Sequence, residues 1–245
     1  MPEPHVDDVD KVSKGGWEHA VRGVGGAVQA GLNFVAGNDR SLPSKQDEGF
    51  KDAVLSKLFT GSLDMEALDL AEAGYRDGDM PRLADALAQN ERVKHLNLST
   101  NAITPIGAGQ LATGLEQNKS LTYLDIGENQ VQVAGMLSLC NFVAIKPSLA
   151  ALDVASNRIS DRGCVALCHA LANAPGVPIQ FLNLSENALS DESATALATL
   201  LPKARKLAHL DISRSNFAPR AIQALAQRSC PRPHQRAVET GGALR

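Results

Sequence analysis

One spacing governs what this chain can become. Val93, Leu96, Leu98, Asn101 and Ile103 fall at positions 1, 4, 6, 9 and 11 of a short segment. The same arrangement returns as Leu121, Leu124, Ile126, Asn129 and Val131, then as Leu149, Leu152, Val154, Asn157 and Ile159. It returns again as Ile179, Leu182, Leu184, Asn187 and Leu189. Two degenerate copies flank these: Met65, Leu68, Leu70, Ala73, Tyr75 before, and Leu207, Leu210, Ile212, Ser215, Phe217 after. The starts at 65, 93, 121, 149, 179 and 207 give spacings of 28, 28, 28, 30 and 28 residues. A unit of this length cannot bury its apolar side alone, so the copies must stack and share one continuous core.

The positions within a copy carry their own physical roles. The alternation at Leu96–Asn97–Leu98 is that of a strand with two leucines on one face and the intervening residue on the other. Stacked copies build a parallel sheet with strands about 4.8 Å apart. The Asn sits where the chain must leave the strand, and its amide can satisfy backbone groups left unpaired at that bend. The second half of each copy has helical periodicity. Examples are Gly107–Leu115, Gly163–Leu171, Ala194–Leu200 and Ala221–Leu225. Aliphatic residues three or four apart, with small residues between, make an apolar stripe narrow enough to pack on a sheet. The one 30-residue copy carries its extra length in the turn-rich stretch 173–178.

This pattern resembles the leucine-rich-repeat family, specifically its ribonuclease-inhibitor type, over roughly 65–228. The departures, Ala73 and Ser215 in the Asn position, fall in the terminal copies, where capping is expected. The resemblance implies an α/β solenoid, a horseshoe of about six repeats with a parallel concave sheet and outer helices. Ahead of it, 46–64 reads as a capping helix with Phe50, Val54, Leu55, Leu58 and Phe59 apolar. Residues 43–48 read as a linker. Residues 1–45 form a glycine-rich appendage, and 229–245 a disordered basic tail.

The residues flanking the strand leucines are expected on the concave side. Between the two leucines stand Asp69, Asn97, Asp125, Asp153, Asn183 and Asp211. Before them stand Ala67, His95, Tyr123, Ala151, Phe181 and His209. An acidic and amide column beside a column bearing rings suits a basic or amide-rich protein partner. The expected partner-binding residues are therefore His95, Asn97, Tyr123, Asp125, Asp153, Phe181, Asn183, His209 and Asp211. Of these, Tyr123 and Phe181 are expected as exposed aromatic anchors. The competing reading is that Asp or Asn at this position is a habit of the repeat. Asn101, Asn129, Asn157 and Asn187 are expected as a structural ladder.

Within the appendage, Trp17, Val21, Val24, Val28, Leu32 and Val35 follow a helical period, beside a small-residue ridge of Gly23, Ala27 and Gly31. Seven glycines lie between 15 and 37. Each costs about 1 kcal/mol in a helix, so such a helix needs a surface to lie on. The open edge of the first repeat, a membrane interface contacted through 17–36 and another protein are the three alternatives, with docking or disorder preferred.

Other chemistry is sparse. The net charge of −3 argues against a general nucleic-acid binder. Charge is uneven, however: residues 1–72 carry a net −6 and residues 203–245 a net +7. Cys140, Cys164, Cys168 and Cys230 form no CxxC pair, which fits reduced thiols in a cytosol-like compartment. Cys164, Cys168 and His169 lack a fourth ligand nearby and read as packing rather than metal binding. No Walker-type loop or GxSxG motif is present. No catalytic residue, cofactor or metal is expected. The expected function is a cytoplasmic, monomeric protein-interaction module. Two alternatives stand beside it: a bacterial secreted effector that recruits a host protein through its repeats after export by a non-Sec route, and a small-GTPase regulator of the Ran GTPase-activating type.

Overall fold

The computed structural model describes residues 42–61, 66–174, 179–228 and 237–239. Strands and helices alternate after an initial helix α1 (Phe50–Thr60). The strands are β1 (Ala67–Asp69), β2 (His95–Asn97), β3 (Tyr123–Asp125), β4 (Ala151–Asp153), β5 (Phe181–Asn183), β6 (His209–Asp211) and β7 (Ala237–Glu239). Between them run α2 (Met80–Ala88), α3 (Pro105–Leu115), α4 (Gln132–Ile145), α5 (Ser160–Asn173), α6 (Asp191–Leu200) and α7 (Pro219–Arg228). The strands form one parallel sheet in sequence order. Each helix packs on the helices before and after it. This is an α/β solenoid of strand–helix repeats.

The register follows from the leucines. Leu68, Leu96, Leu124, Leu152, Leu182 and Leu210 are paired in turn across neighbouring strands, and all six are buried. A slip of one residue would turn this row onto the opposite face. The core lies between sheet and helices, filled by this row, by the row Leu70, Leu98, Ile126, Val154, Leu184 and Ile212, and by helix residues such as Leu111, Leu139, Leu167 and Leu197. Where α2 and α3 pack together, a side chain must be absent: a Cβ on Gly114 would overlap that of Ala84.

The asparagines join one repeat to the previous one. Asn129 Nδ2 donates to the carbonyls of Ile126 and Gly127 in its own repeat and of Leu98 in the repeat before. Its Oδ1 accepts from the Ile103 N–H, also of the preceding repeat, at 3.0 Å. Asn101 repeats this toward Leu70 and Tyr75, Asn157 toward Ile126 and Val131, and Asn187 toward Val154 and Ile159. After β6 Ser215 takes this place, and its hydroxyl donates to the Ser213 carbonyl at 3.4 Å. At the other end of the strands, Asn118 Nδ2 donates to the carbonyls of Leu87 and Asn90. One repeat later the buried Lys146 stands in that position and donates to the Leu115 carbonyl at 3.1 Å.

Helix starts are joined across repeats as well. Asp77 accepts from the Thr104 N–H, Asp161 from the Ser190 N–H and hydroxyl, and Asp191 from the Ala218 N–H. Each carboxylate thus supplies a group that the next helix's first turn leaves unpaired.

Both ends depart from the sequence expectations. The capping helix is shorter than 46–64: α1 ends at Gly61, whose left-handed φ of 64° returns the chain N–H to Leu58 and Lys57. Residues 62–65 lie outside the described residues, as do 1–41. The stretch 43–48 is tied down rather than a free linker, because Lys45 Nζ lies 2.9 Å from Asp69 Oδ2 and 3.0 Å from the Ala71 carbonyl. At the other end, Ala237–Glu239, expected within a disordered tail, is a seventh parallel strand with Val238 in register with Leu210. The reason is the open edge of β6, whose unpaired backbone groups accept any short stretch of suitable pattern; the rest of the tail lies outside the described residues.

Asn129→Leu should cost roughly 1–3 kcal/mol of stability, because four buried backbone groups in two repeats lose their partner at once. Chemical denaturation of the two proteins checks this.

Candidate protein-binding face

Every residue expected on the concave side lies on a strand beside the leucine row. His95, Tyr123, Phe181 and His209 open their strands, while Asn97, Asp125, Asp153, Asn183 and Asp211 close theirs. The register makes two straight columns. In the ring column, His95 meets Tyr123 edge to face at 6.0 Å, and Phe181 stacks on His209 at 4.7 Å between centroids. Ala151 separates the two pairs.

The exposure of the rings differs from expectation. Tyr123 is 8% exposed and Phe181 only 2%, so neither is an open aromatic anchor. Ring-on-ring packing along the column removes part of their surface, and both make contacts beyond these pairs. His95, Asn97, Asp125, His209 and Asp211 are half-buried, whereas Asp153 and Asn183 are buried.

The acidic and amide column has a local structural role that periodicity did not reveal. In all six copies the side-chain oxygen accepts from the backbone N–H two residues on. The pairs are Asp69 with Ala71, Asn97 with Ser99, Asp125 with Gly127, Asp153 with Ala155, Asn183 with Ser185, and Asp211 with Ser213, all at 2.8–3.0 Å. These are Asx turns that close the strand. Asn performs this as well as Asp, since one acceptor oxygen suffices. The second oxygen is left for lateral contacts: Asp153 Oδ2 accepts from Asn183 Nδ2 at 2.9 Å, and Asp125 Oδ2 from the Tyr123 hydroxyl at 3.3 Å.

Beyond the turn, the residue just before the ladder Asn adopts a left-handed conformation in every copy. Glu72, Thr100, Glu128, Ser156, Glu186 and Arg214 have φ of 50–57° without being glycine. In the first five, the N–H continues the inter-repeat hydrogen bonding, as from Thr100 to the Gly127 carbonyl at 3.0 Å. Their side chains line the rim: Ser156 donates to Glu186 at 2.6 Å, and Arg214 pairs with Glu186 at 2.6 Å. Sequence reasoning missed this rim, although the fixed phase before the Asn was the available signal.

Electrostatically the centre of the face is costly. Burial pushes the Asp125 carboxyl up to about 6, against the opposing hydrogen bonds from Gly127 and Tyr123, with Glu128 and Asp69 adding repulsion. Burial, and then the charge of Asp125, raises Asp153 well above the usual carboxylate range. Burial also lowers His95, against the attraction of Glu66.

Elsewhere, Cys164 and Cys168 are buried in the core while His169 points outward from the same helix. Among the described residues, no group of three or more His, Cys, Asp or Glu side chains converges as a metal site. No helix among them is long and apolar enough to cross a membrane.

A carboxyl whose pKa is higher in the fold than in the unfolded chain loses folding free energy when it ionises. Stability should therefore rise as pH falls from 7 to about 5, through the range in which Asp125 takes up its proton. Asp125→Asn keeps the turn acceptor and should stabilise the chain at pH 7 by roughly 1–3 kcal/mol. With Asp153→Asn added, the gain on acidification should vanish. Thermal melts across this pH range check both.

Four stretches, 89–112, 117–140, 146–168 and 178–198, match the family profile described as "Leucine Rich repeat". No curated protein matches this chain. Among solved structures, a similar one is "Leiomodin-1 Actin-Binding Site 2 (ABS2)", 14% identical over 75% of this chain and 89% of that one, with a TM-score of 0.47. The four matched stretches keep the phase of the strand–helix units described above, and the chain carries leucine-rich repeats on a parallel solenoid.

Proposed function

We propose that this chain is a non-catalytic protein-interaction module, of the ribonuclease-inhibitor type of repeat, that recognises a basic or amide-rich protein segment on its concave face. The observation that carries the reading is a contrast within one column. Asn97 and Asn183 make the same turn as Asp125 and Asp153. The fold therefore needs an oxygen there, and it does not need a charge. Carboxylates at 125 and 153 nonetheless occupy the centre of the face, where burial penalises their ionisation. Carboxyl groups kept where burial disfavours their ionisation, at positions where an amide would make the same turn, support a site shaped for binding. A cationic or N–H-rich partner would supply the compensation that the fold withholds, setting orientation and on-rate.

The rings beside the carboxylates supply apolar contact. Tyr123 and His95 flank Asp125 and Asn97, and Phe181 and His209 flank Asn183 and Asp211. Rings held by their neighbours lose little conformational freedom when a partner settles on them. His95, Asn97, Tyr123, Asp125, Asp153, Phe181, Asn183, His209 and Asp211 remain the proposed contact set.

Affinity capture from the native cell, followed by binding measurements on variants, tests this. Tyr123→Ala with Phe181→Ala should weaken the captured partner at least about tenfold, or roughly 1.4 kcal/mol. Asp125→Lys with Asp153→Lys should weaken it in a salt-dependent manner. Ile106→Lys, on the helix side where Ile106 is 68% exposed, should have little effect. Gln110 is a poorer control, because its side-chain oxygen is buried. Loss of binding in the helix-side variant with retention in the concave pairs would overturn the proposal.

A further inference from the structure

We propose that the chain pairs with a second copy of itself through the outward faces of α3 and α4, about a two-fold axis that sets α3 of each copy on α4 of the other. The starting point is an uncharged stretch of the helix layer. Neither α3 nor α4 contains a charged residue. Their neighbours do: α2 carries Arg82 and Asp85, and α5 carries Asp161 and Arg162. Among the described residues, the exposed large apolar side chains Ile106 (68%), Leu137 (39%) and Ile145 (57%) all lie on these two helices, and only Phe59 lies elsewhere. Met136, Leu139 and Phe142 are meanwhile buried on the inner side of α4. A helix that is apolar on its outer as well as its inner side suits an interior or an interface.

The repeat supplies the fit. Strands β1 to β4 pair at offsets of 28 residues, so residues 28 apart stand level on successive helices. Ile106 is thus level with the exposed Ala134, and Leu137 with the half-buried Gly109. Each large apolar residue on one helix stands beside a small residue on the other. A Cβ on Gly109 would make only ordinary contact, 3.4 Å from Ser138 Oγ, so the fold does not itself demand a glycine there. A two-fold axis midway between α3 and α4, and along them, exchanges level residues across the contact. Ile106 then meets Ala134 of the second copy, and Leu137 meets its Gly109. In such an isologous contact each meeting occurs twice, so every knob finds a socket. The second copy carries the matching spacing by construction.

The flanks agree. The same axis brings α2 of one copy over α5 of the other. Asp85, Thr113, Asn141 and His169 form one exposed row, 28 residues apart. Asp85 therefore faces His169 of the second copy, and Thr113 its Asn141: an acid opposite a ring N–H, and a hydroxyl opposite an amide. Neither Asp85 nor His169 makes a hydrogen bond or an ion pair among the described residues. Helices of 11 and 14 residues present faces about 16 and 21 Å long. At about 10 Å of width per helix, and with α2 and α5 included, the contact reaches about 700 Å² on each copy. That is close to the ~800 Å² per partner of a standard interface. The concave face lies across the sheet from this contact and stays open, so partner capture stands or falls separately.

Sedimentation velocity of the intact chain, from micromolar to submillimolar concentration, tests the pairing. The mass should rise from one copy toward two. Leu137→Glu and Ile106→Glu should each weaken the dimer at least about tenfold. Ile106→Ala and Ala134→Ile should each weaken it, and the two together should restore it, because knob and socket have only changed helices. Asp85→His with His169→Asp should behave in the same way. All these changes lie on the outer surface, and thermal melts at low concentration separate loss of pairing from loss of fold. A single-copy mass over the whole range overturns the proposal. So does a dimer indifferent to Leu137→Glu, which uses another face, or a failure of both exchanged pairs to restore association, which excludes the two-fold contact.

Discussion

Each repeat of this solenoid is held to the one before it by a buried amide. Asn129 satisfies three carbonyls and one N–H, and two of those four groups belong to the preceding repeat. A turn of chain buried at the end of a strand would otherwise carry unpaired backbone groups, each at a cost of several kcal/mol in the absence of water. The amide is the one side chain with both donors and an acceptor in a plane short enough to reach them. Because it bonds across the boundary, it fixes the offset of neighbouring repeats, and the leucine row then stays in register from Leu68 to Leu210. Where Ser215 replaces it, the inter-repeat bond is lost at the last full repeat, where fewer contacts depend on it.

Register is what turns a periodic sequence into a surface. With leucines fixed inward, the flanking residues of each strand form columns. Chemistry distributed over 28-residue intervals is thereby assembled at about 4.8 Å intervals. The two columns are not equivalent. The residues that close the strands make Asx turns for the backbone, and the second oxygens of Asp125 and Asp153 go beyond that task by accepting from Tyr123 and Asn183. The residues that open the strands make no such turn; there the rings pack edge to face and stacked, and the Tyr123 hydroxyl donates to Asp125.

The fold was legible because its information is periodic: five spacings of 28 or 30 residues located the strands, the helices and the asparagine ladder positions. The site was legible in its residue list but not in its exposure. Periodicity assigned Tyr123 and Phe181 to the concave side, yet it carries no information about how closely neighbouring side chains pack there, and both are buried. The Asx turns were hidden for a different reason. A single oxygen-to-N–H bond two residues long leaves the same mark in sequence as a preference for Asp or Asn on a binding face. The strand at 237–239 was hidden because three residues carry no measurable period, and only the open edge of β6 selects them. Lys146, in the phase of Asn90 and Asn118, shows the same limit: an ammonium reaches the Leu115 carbonyl where an amide was the pattern.

The account depends on carboxylates at the centre of the concave face being held where ionisation is penalised. Carbon-13 NMR titration of the aspartate carboxyls in the intact chain measures this directly, with Asp125→Asn and Asp153→Asn used for assignment. The account predicts that Asp125 titrates near pH 6 and that Asp153 holds its proton well above the ordinary carboxylate range. Titration of both near pH 4, as for carboxylates in water, would contradict it.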